Sequence, residues 1–268
     1  MEIDKLNEAL ASLPLGGIRS FDSIGSTNDE ASAWADAGCA DLSLVIADEQ
    51  TRGRGRFDRK WVTRPGSSLA FSLVLKPTPS EEARLPLFAP LCGLALWQAL
   101  RDLYKQESKI KWPNDLLIDR QKCAGVLVEA AWTGSNLNGI VLGIGINVSP
   151  DSVPPMTDQL FPATSIEAAV GHAVDRFQLL ASVLRSIIFW RNKLGSPEFF
   201  ETWQSHLAFL GESVKIVQSP KASIIGVIKG IDSNGRLVLT QPGNIETAID
   251  VGDVHLRPAD LPPAPKES

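Results

Sequence analysis

Cysteine is scarce in this chain, and its placement excludes two kinds of chemistry. Cys39, Cys92 and Cys123 are the only three among 268 residues. They show no CxxC spacing, so neither a disulfide framework nor a zinc site is implied, and the count fits a reducing compartment. Histidine is as sparse, with His172, His206 and His255 isolated from one another. No GxxxxGK[ST], HExxH or GxSxG pattern occurs, which removes the main support for P-loop, zincin and lipase-type readings. The first residues, MEIDKLNEAL, lack a basic stretch followed by an apolar core and do not read as a secretory signal. Long apolar runs are missing too. The uncharged stretch Leu85 to Leu100 is interrupted by Pro86, Pro90 and Gln98 and falls short of the roughly 20 apolar residues a membrane span needs. A soluble, cytoplasmic protein with no membrane partner is expected. There is no basic excess: the net charge of −5 argues against a general binder of nucleic acid or anionic membrane, while a local basic patch stays open. No internal repeat stands out.

A chain of this length can bury a full core and most simply makes one larger domain and one small one. The pattern predicts a short helix and a strand before Ser26, then a helix over NDEASAWADAG with Thr27 as N-cap, Glu30 completing a capping box and Gly38 as the stop. Strands are expected at Ser43 to Ala47 and Leu69 to Leu75, a helix at Leu87 to Tyr104, and mainly strands through Asn147. Helices follow at Val174 to Leu194 and at Pro197 to Leu210, the second opened by proline and closed by Gly211. From Glu212 the pattern turns to short strands separated by turns, with Asn234-Gly235 a strong hairpin signal. That tail predicts a small antiparallel barrel of SH3-like type. The expected division is a larger domain over 1–211, the barrel over 212–260 and a Pro-rich, disordered tail over 261–268.

The most informative segment runs from Lys111 to Glu129, KWPNDLLIDRQKCAGVLVE. Pro113 fixes the backbone of a turn that Asn114 and Asp115 favour, so Lys111, Asp115 and Lys122 can converge on one small site. The run Ala124-Gly125-Val126-Leu127-Val128 then reads as a buried strand. A second segment, Gly53-Arg54-Gly55-Arg56-Phe57-Asp58-Arg59-Lys60-Trp61, combines glycines that let a loop fold closely over a ligand with arginine forks suited to phosphate and carboxylate. Read alone, such a run is equally an RNA-contacting loop or a solvated surface. A third, Ser26-Thr27-Asn28, reads alone as an ordinary helix cap. The fourth, Gly143-Ile144-Gly145-Ile146-Asn147, places both glycines on one face of a strand, as a close ligand or backbone requires, or as a bulge would.

In their order and approximate spacing over about residues 20 to 150, these four segments resemble the biotin protein ligases. The resemblance implies an α+β fold: a mixed β-sheet flanked by helices, of the class II aminoacyl-tRNA synthetase and biotin ligase-like type, with a small SH3-like C-terminal barrel that agrees in type only. It implies an ATP-dependent ligase that makes biotinyl-5′-AMP and passes the biotin to a lysine of a biotin carboxyl carrier protein. Mg²⁺ accompanies the ATP, and no metal is caged by protein side chains. Biotin would be held by Ser26, Thr27, Asn28, Gln50, Gly53, Arg54, Arg56, Lys122, Gly125, Gly143 and Gly145, and the nucleotide by Arg54, Arg56, Arg59, Trp61, Lys111, Asn114 and Asn147. The catalytic set is Lys122, Arg56, Asp115 and Lys111, where Asp115 orients the acceptor lysine, removes its proton, binds metal or caps the turn. Asp58 departs from the family pattern, in which a glycine is common there; it adds a negative charge and removes a flexible joint.

Family members that act as repressors carry an additional N-terminal winged helix. Only 25 residues precede Ser26, short of the ~60 such a domain takes, so no DNA partner is expected. Members occur as monomers and as dimers, and a homodimer stays open. Two other readings remain: a lipoate or octanoate attachment enzyme of the same superfamily, which would be expected to carry a different lysine signature in place of KWPND, and a non-enzymatic RNA-binding protein, disfavoured by the acidic balance and the lack of interleaved aromatics.

Overall fold

The computed structural model describes residues 1–56, 59–155, 162–219, 222–250 and 255–258. Asp58 and the expected tail over 261–268 lie outside the described residues. Helix α1 (Ile3–Leu10) leads into strand β1 (Gly17–Ile24), helix α2 (Thr27–Asp36) and strand β2 (Ser43–Gln50), and β1 and β2 pair in parallel. Strand β3 (Ser68–Leu75) follows, then a single turn α3 (Pro79–Glu82) and the long helix α4 (Phe88–Tyr104). Strands β4 (Lys109–Lys111), β5 (Asp115–Ile118), β6 (Gln121–Thr133) and β7 (Asn136–Asn147) complete a seven-stranded mixed sheet ordered β1-β2-β3-β7-β6-β5-β4. Helices α5 (Ile166–Val170), α6 (Arg176–Arg191) and α7 (Pro197–Ser205) close this part of the chain. Five short strands, β8 (Ser213–Ser219), β9 (Ala222–Ile231), β10 (Leu237–Gln241), β11 (Ile245–Ile249) and β12 (His255–Pro258), form an antiparallel sheet ordered β11-β10-β9-β8-β12.

The two faces of the large sheet are unlike, and period-2 alternation shows why. On β3, Leu69, Phe71, Leu73 and Leu75 enter the main core, as do Ile140, Leu142, Ile144 and Ile146 on β7. Helix α4, apolar nearly all round and buried along most of its length, packs on that core together with α6. The opposite positions are small: Ser68, Ala70 and Ser72 on β3, and Gly139, Gly143 and Gly145 on β7. Among the described residues α2 is the helix that covers this second face, through a minor cluster of Ala31, Ala35, Val45, Val74, Ala131 and Val141. Beyond the end of α2 the small residues leave a cleft.

Several expectations are corrected by tertiary contacts. The N-cap of α2 is Ser26, without a side-chain cap bond, because the Thr27 hydroxyl turns to Gln50 and Ser72 while Glu30 pairs with Arg19 at 2.6 Å. Helix α7 ends at Ser205 instead of continuing to Leu210. The backbone of Ile110 captures the next residues, donating to the His206 carbonyl at 2.8 Å and accepting from the Ala208 N–H at 2.9 Å. The C-terminal sheet gains β12, which pairs with β8, and among the described residues β11 and β12 do not pair, so the expected barrel is an open sheet. No helix among the described residues is long and apolar enough to cross a membrane.

The C-terminal sheet meets the rest of the molecule at the turn between β9 and β10. The buried indole N–H of Trp112 donates to the Gly235 carbonyl at 3.1 Å. Gly235 has φ of +77°, and a Cβ there would come within 2.8 Å of Leu87 and 3.3 Å of Trp203. Left-handed backbone and close packing together predict that Gly235→Ala destabilises the protein by about 2 kcal/mol in urea titration; an unchanged midpoint would refute this reading of the contact.

Candidate active site

At the edge of the large sheet, three strands bring three charges together. Lys111 ends β4, Asp115 opens β5 directly opposite it, and Lys122 lies near the start of β6. The WPN turn joins the first two. Trp112 is buried in the core, and the Asn114 side-chain amide donates to the Val126 carbonyl at 2.7 Å while the Asn114 backbone carbonyl accepts from the Val126 N–H at 2.9 Å. The Asp115 carboxylate meets the Lys111 ammonium at 3.0 Å through one oxygen and the Lys122 ammonium at 2.6 Å through the other. Burial would push the Asp115 carboxyl up, but Lys122 and Lys111 outweigh it and hold the group well below the usual carboxylate range. Burial pushes the Lys111 ammonium down against the pull of Asp115, and Lys122 and Arg59 add to that lowering. Two ammoniums thus converge on one carboxylate where Lys122 faces the cleft, a place an anion can enter.

The Arg/Gly loop folds across the same cleft. Trp61 donates its backbone N–H to the Gly53 carbonyl at 2.9 Å, and Gly55 donates to Arg59 at 2.6 Å, closing the loop on itself. A Cβ at Gly53 would strike the Trp61 carbonyl, so only glycine fits. The Trp61 ring lies against Gly125 and Gly145, where a Cβ on Gly145 would overlap it, and the Lys122 ammonium stands 5.5 Å over the ring. Its Nε1 is buried without a hydrogen-bond partner among the described residues, a donor open to a ligand. Arg56 reaches the Asn114 side-chain oxygen at 3.4 Å. Arg54 pairs with Asp29 at 2.8 Å and Glu129 at 3.1 Å on the far wall.

The other end of the cleft is polar, with Arg54 in its lining paired to Glu129. Gly143 leaves room for Asn28, whose side chain would overlap any Cβ there. Thr27 donates through both its N–H (2.7 Å) and its hydroxyl (2.9 Å) to the Gln50 side-chain oxygen. The cleft therefore has cations at one end and a ring of hydrogen-bonding groups at the other.

Of the residues singled out by sequence, Ser26, Thr27, Asn28, Gln50, Arg54, Arg56, Arg59, Trp61, Lys111, Asn114, Asp115, Lys122, Gly125, Gly143, Gly145 and Asn147 all line this one cleft. Gly53 sits behind the wall, supporting the loop. Pro154 and Ala163 also line it and carried no motif; Ala163 arrives through a bridge to Lys122. Glu129 and Ser72, which brace the wall, were likewise not singled out. Cys123 is beside Lys122 in sequence, yet burial pushes its thiol up to about 12, so it is no nucleophile. No cluster of three metal-ligating side chains occurs among the described residues.

Comparison with known proteins agrees with this geometry. Residues 20–147 match the Biotin/lipoate A/B protein ligase family, and residues 209–257 match the Biotin protein ligase C terminal domain. The chain is 34% identical over 226 residues to a biotin–[acetyl-CoA-carboxylase] ligase of Paracoccus denitrificans, covering 81% of this chain and 91% of that protein. It is 31% identical to the ligase of the same name from Mycobacterium tuberculosis, over 87% of this chain and 86% of that one. The biotin protein ligase of Aquifex aeolicus, solved with biotin and ATP, superposes with a TM-score of 0.79 at 28% identity, covering 91% of this chain and 99% of that chain. This chain belongs to the biotin protein ligase family.

The shared carboxylate generates a test with a definite sign. Asp115 titrates lower folded than unfolded, so its contribution is present above about pH 4 and is lost as the pH falls toward its folded value. Asp115→Asn removes the carboxylate that Lys111 and Lys122 share and should cost about 3 kcal/mol at pH 7. The gap to the parent, measured by urea titration, should narrow as the pH drops through 4; a gap constant from about pH 7 to 3 would show that the charge pairing is not what stabilises this corner.

Proposed function

We infer that this chain is an ATP-dependent ligase that activates biotin as biotinyl-5′-AMP and transfers it to a specific lysine of a biotin carboxyl carrier protein. The observation that carries the reading is the polarity of one cleft: hydrogen-bonding groups at Thr27, Asn28 and Gln50 at one end, and Lys111, Lys122, Arg56 and Arg59 at the other. Biotin is polar at its ureido ring and anionic at its carboxylate, with an apolar chain between. It matches such a cleft end to end. An octanoyl or lipoyl tail offers no N–H to the polar end, which disfavours those substrates.

In the first step a biotin carboxylate oxygen attacks the α-phosphorus of ATP, forming the acyl–phosphate bond and releasing pyrophosphate. Both reactants are anions, so the chain's contribution is to position them and to place fixed positive charge where charge develops on phosphorus. Lys122 stands at the junction of the two ends of the cleft and takes that role, with Arg56 and Lys111 beside it. Asn114, Asn147, Arg59 and Trp61 flank the nucleotide. Mg²⁺ enters as part of the ATP substrate and is carried by its phosphates, since both oxygens of Asp115 are already taken by lysines. In the second step the neutral amine of the carrier lysine attacks the acyl carbon and AMP leaves. Asp115, held so far below the ordinary range, is a poor proton acceptor, and its part is to orient Lys111 and Lys122. Closure of the loop over residues 53–61 keeps the mixed anhydride from water between the steps. ATP as co-substrate puts the reaction in the cytoplasm.

Biotin-dependent exchange of pyrophosphate into ATP, run beside lipoate and octanoate, tests the assignment. Exchange is expected with biotin only, and Lys122→Ala should lower it by about 10²- to 10³-fold. Exchange driven by lipoate or octanoate would move the protein to the sister activity, and a Lys122→Ala rate near the parent's would remove that lysine from the chemistry.

A further inference from the structure

Strand β6 departs from regular pairing beside Lys122. Opposite β5, Leu116 faces Ala124 and Leu117 faces Lys122, which leaves Cys123 without an opposite residue and gives β6 one extra residue there. Such a bulge re-aims the side chains on one side of it. Cys123 and Ala124, adjacent in sequence, both lie in the main core, and the Cys123 thiol meets the Leu116 carbonyl at 3.5 Å. Lys122 and Gly125, three residues apart, share the cleft, and a Cβ on Gly125 would stand 3.0 Å from the Lys122 ammonium. In a strand of regular period 2, Lys122 would follow Ala124 and Val126 into the core and Cys123 would face the cleft. Lys122 still needs partners for its own N–H and C=O, and β7 does not supply them. The pairing of Ala124 with Ile146 would set Val148 beside Lys122, but Val148 and Ser149 donate instead to the Ser67 carbonyl, at 3.2 and 2.9 Å. A strap over residues 162–164 takes that place. Lys122 donates its N–H to the Pro162 carbonyl at 2.9 Å and accepts from the Thr164 N–H at 3.0 Å, a parallel bridge centred on Ala163. The strap is itself anchored by Asn147, whose side-chain amide donates to the Thr164 carbonyl at 3.1 Å.

We propose that Thr164 is a positioning residue for Lys122: the strap it belongs to holds, through both backbone groups of that lysine, the bulge that aims the ammonium into the cleft. Asp115, at 2.6 Å, fixes the far end of the side chain, and the strap fixes the near end. A lysine stem is flexible, so the ammonium keeps its place only while both ends are held. Relaxation of β6 toward regular pairing would draw the main chain of Lys122 away from the cleft, and a misplacement of about 1 Å at a reacting centre costs on the order of 10²-fold in rate. Thr164 is not among the residues that line the cleft and acts only through Lys122. What it contributes is its backbone N–H, not its hydroxyl, which is why no sequence motif marks it. This rests on the functional reading above, in which Lys122 meets the charge developing on phosphorus.

The test is a double-mutant cycle on biotin-dependent pyrophosphate exchange by the full chain. Thr164→Pro removes the N–H that Lys122 accepts, and Thr164→Val keeps it while removing the hydroxyl. The proline variant should lower kcat by about 10- to 100-fold with the KM values for biotin and ATP held within about threefold, and the valine variant should stay within about twofold of the parent. In the Lys122→Ala background, Thr164→Pro should cost less than about threefold more, because the group it positions is gone. Pro162→Gly keeps the carbonyl that Lys122 reaches while freeing the torsions around it. It should show the same dependence on Lys122 with a loss of about 3- to 10-fold, and it carries the test if the proline variant does not fold. Losses that persist in full without Lys122, a valine variant as slow as the proline one, or strap variants at the parent rate overturn this inference alone. A parent without biotin-dependent exchange overturns the functional reading, and this inference with it.

Discussion

The arrangement of the cleft depends on one carboxylate shared by two ammonium groups. Asp115 ties together the ends of three strands, with Lys111 on β4 and Lys122 on β6. Buried ion pairs add little to stability compared with apolar replacements, because removing two or three charges from water costs several kcal/mol per ion. Here the two ammoniums are fixed in place by the fold, before any anion arrives. The cost is met elsewhere, by the apolar face of the sheet and by Trp112, which anchors the WPN turn between the core and the Gly235 carbonyl of the small sheet. The C-terminal sheet thus bears on the chemistry through a tryptophan next to Lys111.

A second constraint is the unequal filling of the sheet's two faces. Leucine, isoleucine and phenylalanine fill one side, while serine and glycine keep the other low. Asn28 rests where a side chain at Gly143 would stand, and Trp61 where one at Gly145 would stand. The glycines of the GxGxN strand therefore admit two of the protein's own side chains, which become the walls against which a ligand lies. Their value is in the close approach of Asn28 and Trp61 to the strand backbone, since both lie in an ordinary extended run.

How far the sequence was legible follows from the range of the forces involved. The charged turn, the Arg/Gly loop and the paired glycines are local patterns, and the residues they singled out converge on one cleft because short segments fix their own turns and strand phase. The hairpin at Asn234-Gly235 and the helices α4 and α6 were legible for the same reason, through turn chemistry and 3.6-residue periodicity. What failed was decided across the sheet. Thr27 is an excellent cap by residue type, but Gln50 and Ser72 compete for its hydroxyl and win. Helix α7 has no stop signal at Ser205; it ends because Ile110, far away in sequence, takes up the next backbone groups. Ser72 looks like a polar interruption in an apolar strand, and only the register that sets it opposite Gly143 brings it to Thr27 and Asn28.

The same contrast in range separates the parts of the site that stay fixed from those free to move. The Lys111–Asp115–Lys122 group is nearly closed to solvent and tied to three strands, so displacing it means breaking buried charge pairs at about 3–5 kcal/mol. The Arg/Gly loop is held differently. Arg54 is 46% exposed, and its partners Asp29 and Glu129 are 48% and 35% exposed; such pairs contribute about 0–1 kcal/mol each and weaken with salt. Trp61 supplies an apolar contact among the described residues, and it rests on glycines, which offer a flat surface and no interlocking side chain. A loop fastened this lightly can exchange those contacts for a ligand's at small cost, while the charges it covers stay where the sheet put them. Rigid cations under a weakly tied cover let substrates enter and products leave without dismantling the electrostatics that drive the reaction.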